Sequence, residues 1–369
     1  MNLWILCGNI YKELTGLTVL IFFVVSFGLS LAAVALVLKF SHKKGWFDHA
    51  NERKIHNGHV PRLGGIGFII AFSIIAVVIC IIVKEAEWGL RYLPCLFALF
   101  LIMFFGAYDD FRPLKSRYKL TVQIIAAIIV LIPGFTFKRI AYFDIGILPV
   151  PLEYAITFLW IVGVTNAVNL IDGIDGLAGG LSGIIALFFG IIFFSYSKNP
   201  QNVLFCAAVV GVILGFLVFN APLPKARLFM GDCGSQSLGF LLALLPLLER
   251  EDGPAHLPVP YAAALLMIPI FDTIGAVWRR SRDGISIFTP DKSHVHHKLM
   301  NLGLIDRGVD IVLFSLQIVL GVITLISIRL DGLASLYVLG IAYAIGIGFF
   351  AMIHFKNRVL KKDREHCSS

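Results

Sequence analysis

The sequence predicts an all-α, polytopic membrane protein of about eleven transmembrane helices, ten being the alternative count. Three observations predict it. The 369 residues are 58% hydrophobic and 15% charged, with a mean hydropathy of +0.86, far above that of a soluble domain. A bilayer span takes about 20 apolar residues, and apolar stretches near that length recur along the whole chain. The longest polar interval runs only from Arg279 to Asp310, so residues 1–369 read as a single transmembrane domain.

The first stretch, 17–38, follows one basic residue, Lys12, which Glu13 offsets. No small-residue cleavage site follows cleanly, so it reads as a span and not as a removed signal. Further spans are expected at 64–83, 92–108, 120–133, 153–170, 181–195, 203–219, 236–248, 260–278, 311–328 and 332–353. In the sixth, Gly176/Gly180 and Gly179/Gly183 are small-xxx-small pairs, the pattern of close helix packing. Cys7, Cys80, Cys95, Cys206, Cys233 and Cys367 show no C-x-x-C spacing, which points to neither zinc nor a disulfide framework. Cys233 adjoins a carboxylate but reads as a small buried side chain.

Eleven spans make the connecting segments alternate between two sides. Segments 39–63, 109–119, 171–180, 220–235, 279–310 and 354–369 fall together and carry 23 of the 31 Lys and Arg residues. Basic residues mark the cytoplasm, so the N-terminus is expected outside and the basic tail inside. The formal charge of +8 then needs no nucleic-acid partner. It follows from sidedness, with attraction to anionic lipid heads and a fit to a phosphate substrate.

Four clusters of chemistry-bearing residues fall on that same side: Ala107 to Lys119, Asn166 to Gly180, Lys225 to Ser235 and Thr289 to Leu299. Asp109 and Asp110 are adjacent, so a helix splays them by about 100°. One is free to meet a metal or substrate while the other holds a neighbour, and Lys115, Arg117 and Lys119 follow as phosphate donors. Asn166, Asn169, Asp172 and Asp175 recur every three residues, a drifting stripe along one helix face. Such oxygen ligands suit Mg²⁺, which takes a few carboxylates plus phosphate and water oxygens. Gly173 and Gly176 loosen the chain there. Asp232 sits between Gly231 and Gly234, after the aromatic Phe229. His294, His296 and His297 form an H-x-H-H run suited to phosphate more than to a soft metal, because the other clusters offer oxygens.

Taken in order, "RKIHNGHVPRLGGIGF", the aspartate pair, N-x-x-N-x-x-D-G-x-D-G, F-M-G-D-x-G-S and H-x-H-H resemble the polyprenyl-phosphate N-acetylhexosamine-1-phosphate transferases. The likeness runs from Arg53 to the histidine run. It implies transfer of a sugar 1-phosphate from a UDP-N-acetylhexosamine to undecaprenyl phosphate, with release of UMP, at the cytoplasmic face of a bacterial plasma membrane. It implies Mg²⁺, with Mn²⁺ as a substitute, and leaves a homodimer open. By the resemblance Asp109, Asp110, Lys119, His294, His296 and His297 are catalytic, Asp109 as base or binder for the lipid phosphate. Asn169 and Asp232 match metal positions. Asp172, Asp175, Asn166, Lys54 and His56 match substrate-binding positions, and Phe229 the aromatic under uracil.

H-V-H-H after "TPDKS", together with "PRLGG", resembles the branch that uses UDP-GlcNAc. The branch that uses UDP-MurNAc-pentapeptide, the alternative, carries three consecutive histidines. A transporter is the rival from another class, but ionisable groups gather here at one face and no self-similarity links the halves. The CDP-alcohol phosphotransferases continue D-G with x-x-A-R, whereas "DGLAGG" stands here.

Overall fold

The computed structural model describes residues 3–47, 60–82, 86–140, 147–196, 200–221, 225–249, 257–286, 289 and 293–368. Among these the regular structure is helical, apart from an isolated bridge between Arg139 and Ile147. The helices are α1 (Leu3–Lys44), α2 (Gly64–Ile82), α3 (Ala86–Phe111), α4 (Ser116–Leu131), α5 (Val150–Ile171), α6 (Leu177–Tyr196) and α7 (Pro200–Asn220). There follow α8 (Gly231–Leu244), α9 (Val259–Leu265), α10 (Met267–Arg282), α11 (Val295–Asn301), α12 (Asp306–Ile328) and α13 (Gly332–Ser368).

Eight of these helices are long and apolar enough to cross a membrane, and nine spans result if α9 and α10 count as one. The protein is a multi-pass membrane protein. Two of the eleven expected spans, 120–133 and 236–248, coincide with α4 and α8, of 16 and 14 residues. At 1.5 Å per residue these helices reach about 24 and 21 Å, short of a hydrocarbon core of about 30 Å. The expected span 260–278 is broken between α9 and α10 by a 91° bend. Pro269 explains the break. It has no N–H to give the carbonyl four residues back, that of Leu265. The amide of Gln317 on α12 donates to that oxygen instead, at 2.8 Å.

The centre of the bundle is α8, which packs against α2, α3 and α5. Every α8 residue except Asp232 is buried. Glycines set how close its neighbours come. A Cβ on Gly65 of α2 would collide with the backbone of Gly234, and one on Gly106 of α3 would lie 2.6 Å from the Cα of Cys233. The loop before α8 is joined to the start of α2 by main-chain bonds. Phe229 donates to the carbonyl of Pro61 (2.8 Å), and the amides of Gly64 and Gly65 donate to the carbonyls of Phe229 (3.0 Å) and Met230 (2.9 Å).

These contacts separate glycines that sequence alone cannot. Gly65→Ala and Gly106→Ala should lower the melting temperature of detergent-purified protein by several degrees, since overpacking costs about 1–3 kcal/mol or more. Gly340→Ala, with nothing within 4 Å of its added carbon, should leave melting unchanged or raised.

Candidate active site

Asp109 and Asp110 end α3 and point different ways. Asp110 reaches the N-terminus of α8, where its two carboxylate oxygens accept from the amides of Asp232 (2.8 Å) and Cys233 (3.0 Å). It does in trans what a capping residue does for its own helix, and it meets the positive end of the helix dipole. Gly231 makes the approach feasible. Its φ is +73°, and a Cβ there would lie 2.6 Å from Oδ2 of Asp110. Asp109 turns instead to the start of α4, accepting from the amide of Leu114 (2.6 Å) and pairing with Nζ of Lys119 (2.7 Å).

Lys119 bridges two helices, because its ammonium also lies 3.3 Å from Oδ1 of Asp232. That oxygen further accepts from the amides of Asn169 (3.0 Å) and Gln236 (3.3 Å). Asn169 donates as well to Oγ of Ser235 (2.7 Å), so its carbonyl oxygen is the atom with ligating capacity. Behind Asp232 runs a relay of carboxamides. Asn166 donates to Gln123 (2.6 Å), Gln123 to Gln236 (3.0 Å), and Gln236 to Asp232. Asn166 thus acts through this relay, with Asn169 one turn along the same face.

The expected stripe of four does not continue beyond those two. α5 stops at Ile171, and Asp172 leaves the helix at φ −74°, ψ 66°. The amide of Gly173 turns back to the carbonyl of Ile171 (2.8 Å), and Gly176 takes φ +84°. Asp172 and Asp175 therefore stand on a loop. Asp175 accepts from the amide of Ala226 (3.1 Å), and Asn220 accepts from that of Gly176 (3.0 Å), which ties this loop to the segment leading to Phe229. Phe229 itself is half-buried.

The histidine run arrives on α11. The ring of His296 lies directly on Gly173, where a Cβ would collide with it. His294 stacks parallel to His296 at 6.0 Å, and His297 tilts against it at 4.2 Å. His294 and His296 are buried and His297 is half-buried. Nδ1 of His294 meets Oδ2 of Asp272 at 2.6 Å, while Oδ1 of Asp272 accepts from the amide of Val295 at 2.7 Å.

Of the residues singled out in the sequence, Asp109, Asp110, Lys119, Asn166, Asn169 and Asp232 form one bonded network. Asp172, Asp175 and His296 adjoin it through the glycine loop. Lys54 and His56 lie outside the described residues. Asp272, Gln123 and Gln236 escaped the sequence reading. Each is buried, and a buried amide or carboxylate in a membrane bundle needs a partner, which is the signal that marks them. Among the described residues no three His, Cys, Asp or Glu side chains are arranged to hold a metal ion.

Charge crowding leaves its mark. Burial and the neighbouring Asp232 push Asp172 up to about 7, against the pull of Arg62. Burial would raise Asp232 too, but the Lys119 ammonium and the Asn169 amide outweigh it and hold the carboxyl below its usual range. Burial, then His297, brings His296 down to about 4 from 6.5. Between these values the unfolded chain binds the proton that folded His296 refuses, so stability falls as pH drops. That is the His296 contribution alone, since Asp172, raised to about 7, gains a proton in the folded chain over the same range and works in the opposite direction. His296→Gln should therefore raise the melting temperature at pH 5 relative to that at pH 7, compared with the parent.

The family model described as glycosyl transferase family 4 matches residues 92–249. A probable undecaprenyl-phosphate N-acetylglucosaminyl 1-phosphate transferase of Bacillus subtilis (strain 168) is 32% identical over 301 residues, 80% of this chain and 81% of the relative. Undecaprenyl-phosphate alpha-N-acetylglucosaminyl 1-phosphate transferases are similar as well. That of Yersinia pestis is 30% identical over 82% of both chains, and that of Escherichia coli (strain K12) is 29% identical over 73% of both. With a relative this similar over four-fifths of both chains, the protein belongs to glycosyl transferase family 4.

Proposed function

We propose that this protein transfers N-acetylglucosamine 1-phosphate, or a close N-acetylhexosamine 1-phosphate, from a UDP-sugar to undecaprenyl phosphate. The observation that carries the reading is the joining of Asp109, Lys119, Asp232 and Asn169 into one cluster, with the histidine run seated on the adjoining glycine loop. The names of the relatives support the transferred group and the acceptor. The distribution of 23 of 31 basic residues supports a cytoplasm-facing site in a bacterial plasma membrane, with the N-terminus outside.

In this reaction an oxygen of the lipid phosphate attacks the sugar-bearing phosphorus of the donor. The bond from that phosphorus to the bridging oxygen breaks, and UMP leaves with the oxygen. Phosphoryl transfer asks mainly for alignment and charge neutralisation. Lys119 supplies a cation between two carboxylates, and Asp109 orients it toward the acceptor. Asp110 holds the amides of Asp232 and Cys233, which fixes Asp232 in place. His297, the more exposed of the three histidines, meets the donor's diphosphate, and Phe229 stacks under the uracil. A carboxylate and a carboxamide oxygen suit a hard cation that keeps water and phosphate ligands. Asp232 and Asn169 would hold Mg²⁺, or Mn²⁺ in its stead, which when bound neutralises the diphosphate's charge.

The two adjacent aspartates should separate on substitution. Asp110→Asn weakens the cap of α8 and should lower both melting temperature and turnover, with about 1–3 kcal/mol lost. Asp109→Asn should abolish most turnover with melting near that of the parent. Equal and mild effects in both would count against these roles.

Asp232→Asn should eliminate UMP release across a Mg²⁺ titration in protein that still inserts and folds. Offered UDP-GlcNAc and UDP-MurNAc-pentapeptide side by side with polyprenyl phosphate, the protein should turn over the first and barely use the second. Faster transfer from the pentapeptide donor would reassign the substrate.

A further inference from the structure

The histidine run is held from α10, by a residue with no place in any of the four clusters. Asp272 uses one oxygen on the ring of His294 and the other on the backbone of the next residue. Both side chains are buried, Asp272 at 3% exposure and His294 at 5%. A carboxylate facing Nδ1 keeps the proton on that nitrogen, which sets the ring's tautomer and its rotation.

The second bond matters as much. α11 has only seven residues, too few to be stable alone, and its N-cap, His294, makes no capping bond with its own side chain. Oδ1 of Asp272 takes that place at Val295, the first helical residue. The other end of α11 is pinned by the amide of Asn357 on α13, which donates to the carbonyl of Lys298 (3.0 Å). Between these two anchors α11 carries His296 onto Gly173 and presents His297.

We propose that Asp272 is a positioning residue of the active site. Acting through His294 and the start of α11, it fixes where His296 and His297 stand against the glycine loop of Asp172 and Asp175. The proposal rests on the reading that the histidine run meets the donor's diphosphate, and its test has an arm that does not.

That arm is footprinting of the full-length protein with diethyl pyrocarbonate, read by mass spectrometry. In the parent, His297 should be modified while His294 and His296 are protected, as their burial requires. Asp272→Ala should make His294 and His296 react severalfold faster, with the melting transition retained. Unchanged protection overturns the proposal whatever the enzyme's activity. The second arm is kinetic, with UDP-GlcNAc, polyprenyl phosphate and Mg²⁺. Asp272→Ala should cut kcat by about 10–100-fold, the usual effect of losing an orienting partner, with little change in donor KM. In a His297→Ala background the same substitution should cost far less, because both changes disable one unit. Full multiplicative losses overturn the proposal. Asp272→Asn keeps the volume and one acceptor, and should fall between parent and Ala in both arms, which serves if Asp272→Ala does not fold. A parent that protects its histidines as described but does not turn over UDP-GlcNAc would count against the proposed reaction and leave the footprinting arm decisive.

Discussion

The first amides of α8 must find acceptors. The helix is buried on every side, so these donors lie deep among α2, α3 and α5, where an unpaired backbone N–H costs several kcal/mol. Asp110 answers that demand from α3, and much follows from it. Its carboxylate has to come within hydrogen-bond reach of a helix start. That excludes a side chain at 231 and brings α3 against α8, which a glycine at 106 permits. Asp109, the preceding residue, is thereby turned toward α4 and Lys119.

The cluster also shows how a membrane bundle tolerates three carboxylates in a small volume. Lys119 lies between Asp109 and Asp232, and Asn169 and Gln236 donate to the same oxygen of Asp232. The carboxamides of Asn166, Gln123 and Gln236 hand hydrogen bonds along a line that crosses α5, α4 and α8. In low dielectric such chains strengthen one another, and a missing member would be expensive. Burial and the neighbouring Asp232 act on Asp172 as well, and its affinity for a proton rises accordingly.

Much of this was legible in the sequence. Hydropathy finds the helices, because a bilayer imposes a length and a composition that few soluble segments share. It says less of α4 and α8, of 16 and 14 residues, since a short apolar helix reads alike whether it spans the bilayer or lies enclosed by protein. The bend at Leu265–Met267 was hidden for another reason. Pro269 is visible, but Gln317, the donor that makes a right-angle turn tolerable, is about fifty residues away. The site was legible where chemistry recurs at close spacing, as at Asp109–Asp110 and in the histidine run. It was not where one residue acts across the fold: Asp272, Gln123 and Gln236 gain meaning only from partners distant in the chain. The stripe through Asp175 failed at Gly173, whose missing side chain leaves room for the ring of His296.

The glycine seams around α8 have a mechanical consequence. Main chain touches main chain there, with no layer of flexible side chains between, and such contacts compress little. Large apolar side chains on α1 and α13, among them Leu17, Leu20, Tyr337 and Phe355, face outward instead. When bilayer thickness changes, tilt and rotamer adjustment fall to that soft periphery. The spacing between α3 and α8, on which the carboxylates depend, is set by backbone contact and not by that periphery.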